Sequence, residues 1–266
     1  MIKPVHFSAG PLLLSSMTHY PKKSFINKVP AIILVHGFVG SKVGEHRMFV
    51  KAANYFSERG YLVFRFDFGG CGESEGDYSH VTLTKQIKEL QAAIDYVLSI
   101  DKVDPNLLTV VGHSLGGAVA SITASRDERI KQLMLWSPVA RPFTDIVRIT
   151  SNEAVLQAKR DGIYDYHGFY LSDAFFEDLK LHHPLKALHN YKGPAHIIHA
   201  ELDEDVPKAN AVDYYQTLKK RNSSIQYSFI EKADHTFSSY TFEQQLFNQT
   251  YQWMMDQSIE NITQII

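Results

Sequence analysis

The chain has 266 residues, one cysteine and a formal net charge of −2. That length suits one large α/β domain, or one domain carrying an insertion. The charge gives no support to nucleic acid or an anionic membrane as the main partner, and the lone Cys71 excludes an internal disulfide.

Apolar residues at 44% and charged residues at 21% exclude a disordered or fibrous chain. No window approaches the roughly 20 apolar residues of a membrane span. The opening MIKPVHFSAG lacks the basic flank and apolar stretch of a signal peptide, so a cytoplasmic location is expected. A monomer or homodimer is expected.

Residues 6–21 (HFSAGPLLLSSMTHYP) predict an antiparallel edge hairpin turned near Ala9-Gly10-Pro11. AIILVHG (31–37) predicts a buried strand, and HRMFVKAANYFSERG a helix stopped by Gly60. YLVFRFD (61–67) is a second buried strand, followed by the glycine-rich FGGCGESEG, expected to line the mouth of a site. Those glycines do not make a nucleotide loop. Gly70-x-Gly72 has no glycine at position 75, and GFVGSK lacks the Gly-Lys-Ser/Thr order of a phosphate loop. In LTKQIKELQAAIDYVLSI, apolar positions 87, 90, 94, 97 and 98 form a helical stripe.

LLTVVGH (107–113) predicts a strand running into GHSLGGAVAS. A serine at a sharp strand-to-helix turn, with Gly112 and Gly116 two positions away on each side, is how a fold lifts a nucleophilic hydroxyl clear of a sheet. It also places Ser114 at a helix N-terminus, where free N–H groups favour developing negative charge. After the strand QLMLWSP (132–138), roughly fifty residues precede the strand AHIIHA (195–200), far more than an αβ connection of about 2–6 loop residues needs. Residues 139–190 therefore read as a cap inserted into a core formed by 1–138 and 191–266. The cap's aromatic residues, among them Phe143, Tyr164, Tyr166, Phe175 and Phe176, suit either a roof over a site or glue to the core. IQYSFIE (225–231) is the last strand, and a C-terminal amphipathic helix packs on the sheet. Alternating strands and helices predict a mainly parallel sheet covered on both faces.

A serine needs a base and an acid that orients that base. Of thirteen histidines, His235 in EKADHTF follows the last strand and so reaches the carboxyl edge of the sheet. His196 and His199 are three apart on a strand and point to opposite faces, which excludes a local metal pair. His113 neighbours Ser114 but turns away from it, and His36 is expected to shape its loop. The loop AELDEDVP (200–207) supplies the acid, with Asp203 first and Asp205 second. The backbone amides of Leu115, after the nucleophile, and Phe38, in HGFVGS, are the expected oxyanion donors. No cofactor or metal is implied. The expected chemistry is serine-based hydrolysis through an acyl-enzyme, with a small-molecule ester as the working choice of substrate. The same residues would also serve a peptidase, thioesterase, lysophospholipase or carbon–carbon bond hydrolase, and a non-catalytic ligand-binding protein would lack part of the triad.

HGF, GHSLGG, ELDEDVP and DHTF, in that order along nearly the whole chain, resemble the α/β-hydrolase superfamily. RFDFGGCGESEGDYSHVT, HGFVGSK, GFYLSD and ADHTFSS are most similar to bacterial cinnamoyl and feruloyl esterases. The resemblance implies Ser114, Asp203 and His235 as triad, Phe38 and Leu115 as oxyanion donors, and cinnamoyl, feruloyl or short-chain acyl esters as substrates. Leu115 departs from those esterases, which usually carry Gln there, and no phenol-binding residue carries over from the patchily matching cap.

Overall fold

The computed structural model describes residues 1–22, 27–220 and 224–263. Ile2–Ala9 (β1) and Leu12–His19 (β2) form the N-terminal hairpin, turning at Gly10 with φ +60°, where a side chain would be strained. Pro4 cannot donate to a ladder and is tolerated because β1 is the edge strand. Val29–Val35 (β3) leads to Met48–Glu58 (α1), and Gly60 at φ +100° ends the turn into Leu62–Phe66 (β4). Leu83–Leu98 (α2) starts where the Thr82 hydroxyl accepts the Lys85 amide hydrogen, then runs to Val103–His113 (β5), Leu115–Ala124 (α3) and Gln132–Trp136 (β6).

The long connection folds as Pro142–Thr150 (α4), Asn152–Asp161 (α5), the hairpin Ile163–Tyr166 and Phe169–Ser172 (β7, β8), Asp173–Lys180 (α6) and Pro184–Ala187 (α7). Ala195–Ala200 (β9), Ala209–Lys219 (α8), Ile225–Ile230 (β10) and Tyr240–Thr263 (α9) complete the chain.

The main sheet has the order β1-β2-β4-β3-β5-β6-β9-β10. The hairpin and the β2–β4 pair are antiparallel and every later pair is parallel. Period-2 alternation divides the core. Ile32, Leu34, Val63 and Trp136 face α1 and α9, where the Trp136 indole N–H donates to Thr250 at 3.1 Å. Ile33, Val35 and Phe64 face α2 and α3, and Ile146, Leu171, Phe175 and Phe176 of the long connection join this same cluster. The connection thus shares one core with the sheet and helices. Because the strands run parallel, the ends of β3, β5, β9 and β10 all deliver their loops to one edge of the sheet.

Buried histidines, among them His196 and His113, make stability acid-sensitive. Burial pushes His196 from 6.5 down to about 4, and burial with the neighbouring His235 pushes His113 down to about 3. Unfolded imidazoles take a proton below about 6.5, and the folded ones resist it until near 4. Stability is therefore complete above pH 6.5 and is lost as pH falls towards 4, by something of the order of 1–3 kcal/mol per site. Denaturant titrations at pH 7.5, 5.5 and 4.5 should show this slope, shallower in His196→Gln. Equal slopes would remove His196 as a source.

Candidate active site

Ser114 sits at φ +55°, ψ −125°, a region that side chains rarely adopt. Three hydrogen bonds hold it there: its N–H donates to the Trp136 carbonyl at 2.9 Å, and its carbonyl accepts from Gly117 at 2.9 Å and Val139 at 3.0 Å. Close packing supplies the rest. A Cβ on Gly112 would lie 2.5 Å from the Gly116 oxygen, and one on Gly116 would lie 2.4 Å from the His36 oxygen. The spacing G-x-S-x-G is thus a steric requirement of strand, turn and helix meeting.

The structure brings the three residues expected as triad into one chain of hydrogen bonds. His235 Nε2 is 2.9 Å from Ser114 Oγ, and Nδ1 is 2.7 Å from Asp203 Oδ2. Asp203 Oδ1 accepts the amide hydrogens of Asp205 at 3.1 Å and Val206 at 2.7 Å. Burial of Asp203 favours its neutral form, but the hydrogen bonds from His199, His235 and Val206 outweigh that and hold the carboxyl well below the usual carboxylate range. An ionised partner places the proton of His235 on Nδ1 and leaves Nε2 to accept from the serine hydroxyl. Asp205, the second choice for the acid, contributes its amide to Asp203 and is among the residues lining the cavity above Ser114.

Two further histidines belong to this arrangement. His199, fully buried at the end of β9, directs Nε2–H between Asp203 Oδ2 at 3.3 Å and the Val206 carbonyl at 3.1 Å. His196 points to the other face and meets Ser228 at 3.1 Å, as strand alternation requires. His113 turns away from Ser114 but lies against His235, ring centroids 5.0 Å apart, with its Nε2–H donating to the His235 carbonyl at 3.1 Å. No local rule in the sequence signals this role for His199, because the contact is made only when the chain turns after β9.

Gly37 carries the β3 loop against the nucleophile. A Cβ there would lie 2.8 Å from Ser114 Cβ and 3.3 Å from the Leu115 amide nitrogen. The Phe38 and Leu115 N–H groups donate to no protein acceptor among the described residues, so both are available beside Ser114. His36 braces the loop, with Nδ1–H donating to the Gly37 carbonyl at 3.0 Å and Nε2 accepting from the Phe68 amide at 3.1 Å. Above Ser114 is a cavity of about 260 Å³ whose walls include Phe38, Ile149, Tyr166 and His235. The Phe38 ring stacks on Phe175 at 5.8 Å and tilts over Tyr166 at 5.3 Å. Of the cap aromatics, Tyr166 reaches this cavity, whereas Phe175 and Phe176 are core.

The glycine loop departs from expectation: none of residues 69–76 lines the Ser114 cavity. Bonds from the Gly70 amide to the Glu75 carbonyl at 2.9 Å and from the Glu75 amide to the Leu13 carbonyl at 3.1 Å fold it back over β2. Cys71 is buried in that loop, which pushes its thiol above the usual range. Among the described residues, no three His, Cys, Asp or Glu side chains gather as metal ligands, and no helix is long and apolar enough to cross a membrane.

Residues 47–260 match the prolyl oligopeptidase family. Among curated proteins, the chain is 32% identical over 143 residues to the quorum-quenching protein AidA of Acinetobacter baumannii, covering 53% of this chain and 44% of that one. It is 30% identical over 190 residues to a lysophosphatidylserine lipase of Danio rerio (70% and 46%), and 24% identical over 257 residues to an acylamino-acid-releasing enzyme of Mus musculus (91% and 33%). The chain thus spans about a third to a half of these relatives' lengths. Among solved structures, Est1E from Butyrivibrio proteoclasticus with ferulic acid bound superposes with TM-score 0.83 at 23% identity, covering 96% of this chain and 99% of that one. An esterase of Pyrococcus furiosus superposes with TM-score 0.74 at 19% identity, covering 96% and 91%. At these identities the likeness is one of fold, the α/β-hydrolase fold. The chain belongs to the prolyl oligopeptidase family and has the α/β-hydrolase fold.

Proposed function

We propose that the protein hydrolyses carboxylic esters through an acyl-enzyme on Ser114, with cinnamoyl-type or short-chain acyl esters as substrates. The observation that carries this reading is the unbroken chain Ser114–His235–Asp203 ending beside two unpaired amides. His235 Nε2 takes the hydroxyl proton as Ser114 Oγ attacks the ester carbonyl, and Asp203 stabilises the imidazolium. The Phe38 and Leu115 N–H groups hold the oxyanion. The imidazolium then gives its proton to the leaving alcohol, and a water deprotonated by His235 releases the acid. The aromatic walls Phe38 and Tyr166 favour a planar or short acyl group in a cavity of this size.

The family match and the likeness to an acylamino-acid-releasing enzyme favour a second reading, peptide-bond hydrolysis by the same residues. Initial rates on methyl ferulate, p-nitrophenyl acetate and acetyl-alanine p-nitroanilide separate the two. The ester reading expects kcat/KM on the esters to exceed that on the anilide. The reverse order installs the peptidase.

Ser114→Ala and His235→Ala should each lower kcat on p-nitrophenyl acetate by roughly a thousandfold or more; near-normal activity in Ser114→Ala would sink the assignment. Gly37→Ala pushes the β3 loop off Ser114 and should cost about a hundredfold in kcat, the scale of one oxyanion donor, with little change in melting temperature. Acidification should reduce kcat/KM because a protonated His235 cannot accept the serine proton. Since Asp203 stays ionised well below the usual carboxylate range, the acid limb of a pH–rate profile down to about pH 5 should show the slope of a single proton. A slope of two would require another ionisation.

A further inference from the structure

A cavity of about 410 Å³ lies on the far side of the glycine loop and shares no lining residue with the Ser114 cavity. Its walls include the apolar Leu12 and Val81, and also two buried polar residues of α2, Gln86 and Glu89, 3% and 6% exposed. They stand three apart on a helix and so share a face. Glu89 accepts one hydrogen bond, from the Gly69 amide at 3.0 Å, and the Gln86 side chain makes none among the described residues. Buried polar groups are ordinarily paired, so this spare hydrogen-bonding capacity marks a place for a ligand group. The exposed rim carries Lys88, His80, the Asp77 carboxylate, which is engaged by Ser79, and Lys85, whose ammonium donates to the His80 carbonyl at 2.6 Å.

We propose that this cavity is a second binding site, for a small amphipathic hydroxy-carboxylate. Its hydroxyl bonds to Glu89 and Gln86, its apolar body lies against Leu12 and Val81, and its carboxylate meets Lys88 and Lys85 at the rim. The site adjoins the segment that braces the β3 loop. Glu89 holds Gly69, the preceding Phe68 amide is bonded to His36, and the Tyr78 hydroxyl accepts the Val39 amide hydrogen at 3.0 Å. A ligand seated here touches the supports of Phe38 without touching Ser114.

Calorimetric titration of the full chain with 4-hydroxycinnamate tests this independently of the ester reading, because binding needs no turnover. Binding to wild type and to Ser114→Ala should agree within twofold. Lys88→Glu, which changes only an exposed rim charge, and Leu12→Trp, which fills the cavity, should each weaken one site at least tenfold, and cinnamate, lacking the hydroxyl, should bind there at least tenfold more weakly. The absence of saturable binding overturns the proposal, as does a stoichiometry and affinity unchanged by both Lys88→Glu and Leu12→Trp, which would put the ligand elsewhere. Circular dichroism shows whether Leu12→Trp is folded, and Lys88→Glu decides the matter if it is not.

Discussion

The positive φ of Ser114 is the constraint on which the rest of the molecule depends. A residue held in that region costs of the order of 1–3 kcal/mol and persists only if its surroundings over-determine it. Here they do: β6 takes its N–H, α3 and the chain after β6 take its carbonyl, and the β3 loop closes in from the side. Each of these approaches is closer than a side chain would permit, which explains the glycines at 37, 112 and 116 without appeal to chemistry. The parallel sheet then delivers the loops after β9 and β10, with Asp203 and His235, to the same edge.

Around the serine, desolvation and hydrogen bonding compete, and the outcome differs by residue. For Asp203 the hydrogen bonds win and the carboxyl stays ionised, whereas for His113 burial wins and the ring stays neutral. A neutral His113 can lie against the His235 ring without placing a second charge there, while its N–H fixes the His235 backbone. His199 fixes Asp203 from beneath. Three imidazoles thus meet near one carboxylate, with His113 and His199 placed to hold His235 and Asp203 in position.

The sheet strands, the flanking helices and the residues around Ser114 were legible because they rest on local rules. β-branched runs such as AIILV read as buried strands, and a glycine–x–serine–x–glycine turn has one steric solution. The glycine loop at 69–76 was misplaced because its direction is set by bonds to Leu13, far away in sequence, and local turn chemistry does not encode which strand a loop folds over. The long connection between β6 and β9 stood out in the sequence as an excess of chain and as a run of aromatic rings. The sequence could not tell that Tyr166 faces the cavity while Phe175 and Phe176 enter the core, since α6 and the β7–β8 hairpin owe their orientation to packing against α2 and Phe38. His199 was set aside as a metal ligand for a correct geometric reason, but its contact with Asp203 depends on how the chain turns after β9.

The central claim is that the strained serine carries the acyl group. Rapid acid quench of the protein during turnover of a p-nitrophenyl ester, followed by mass spectrometry of the peptides, tests it most directly. The account predicts an acyl mass addition confined to Ser114, forming in the wild type and absent when His235 is replaced by alanine. An unmodified Ser114 under multiple-turnover conditions, or an acyl group on another residue, would contradict it.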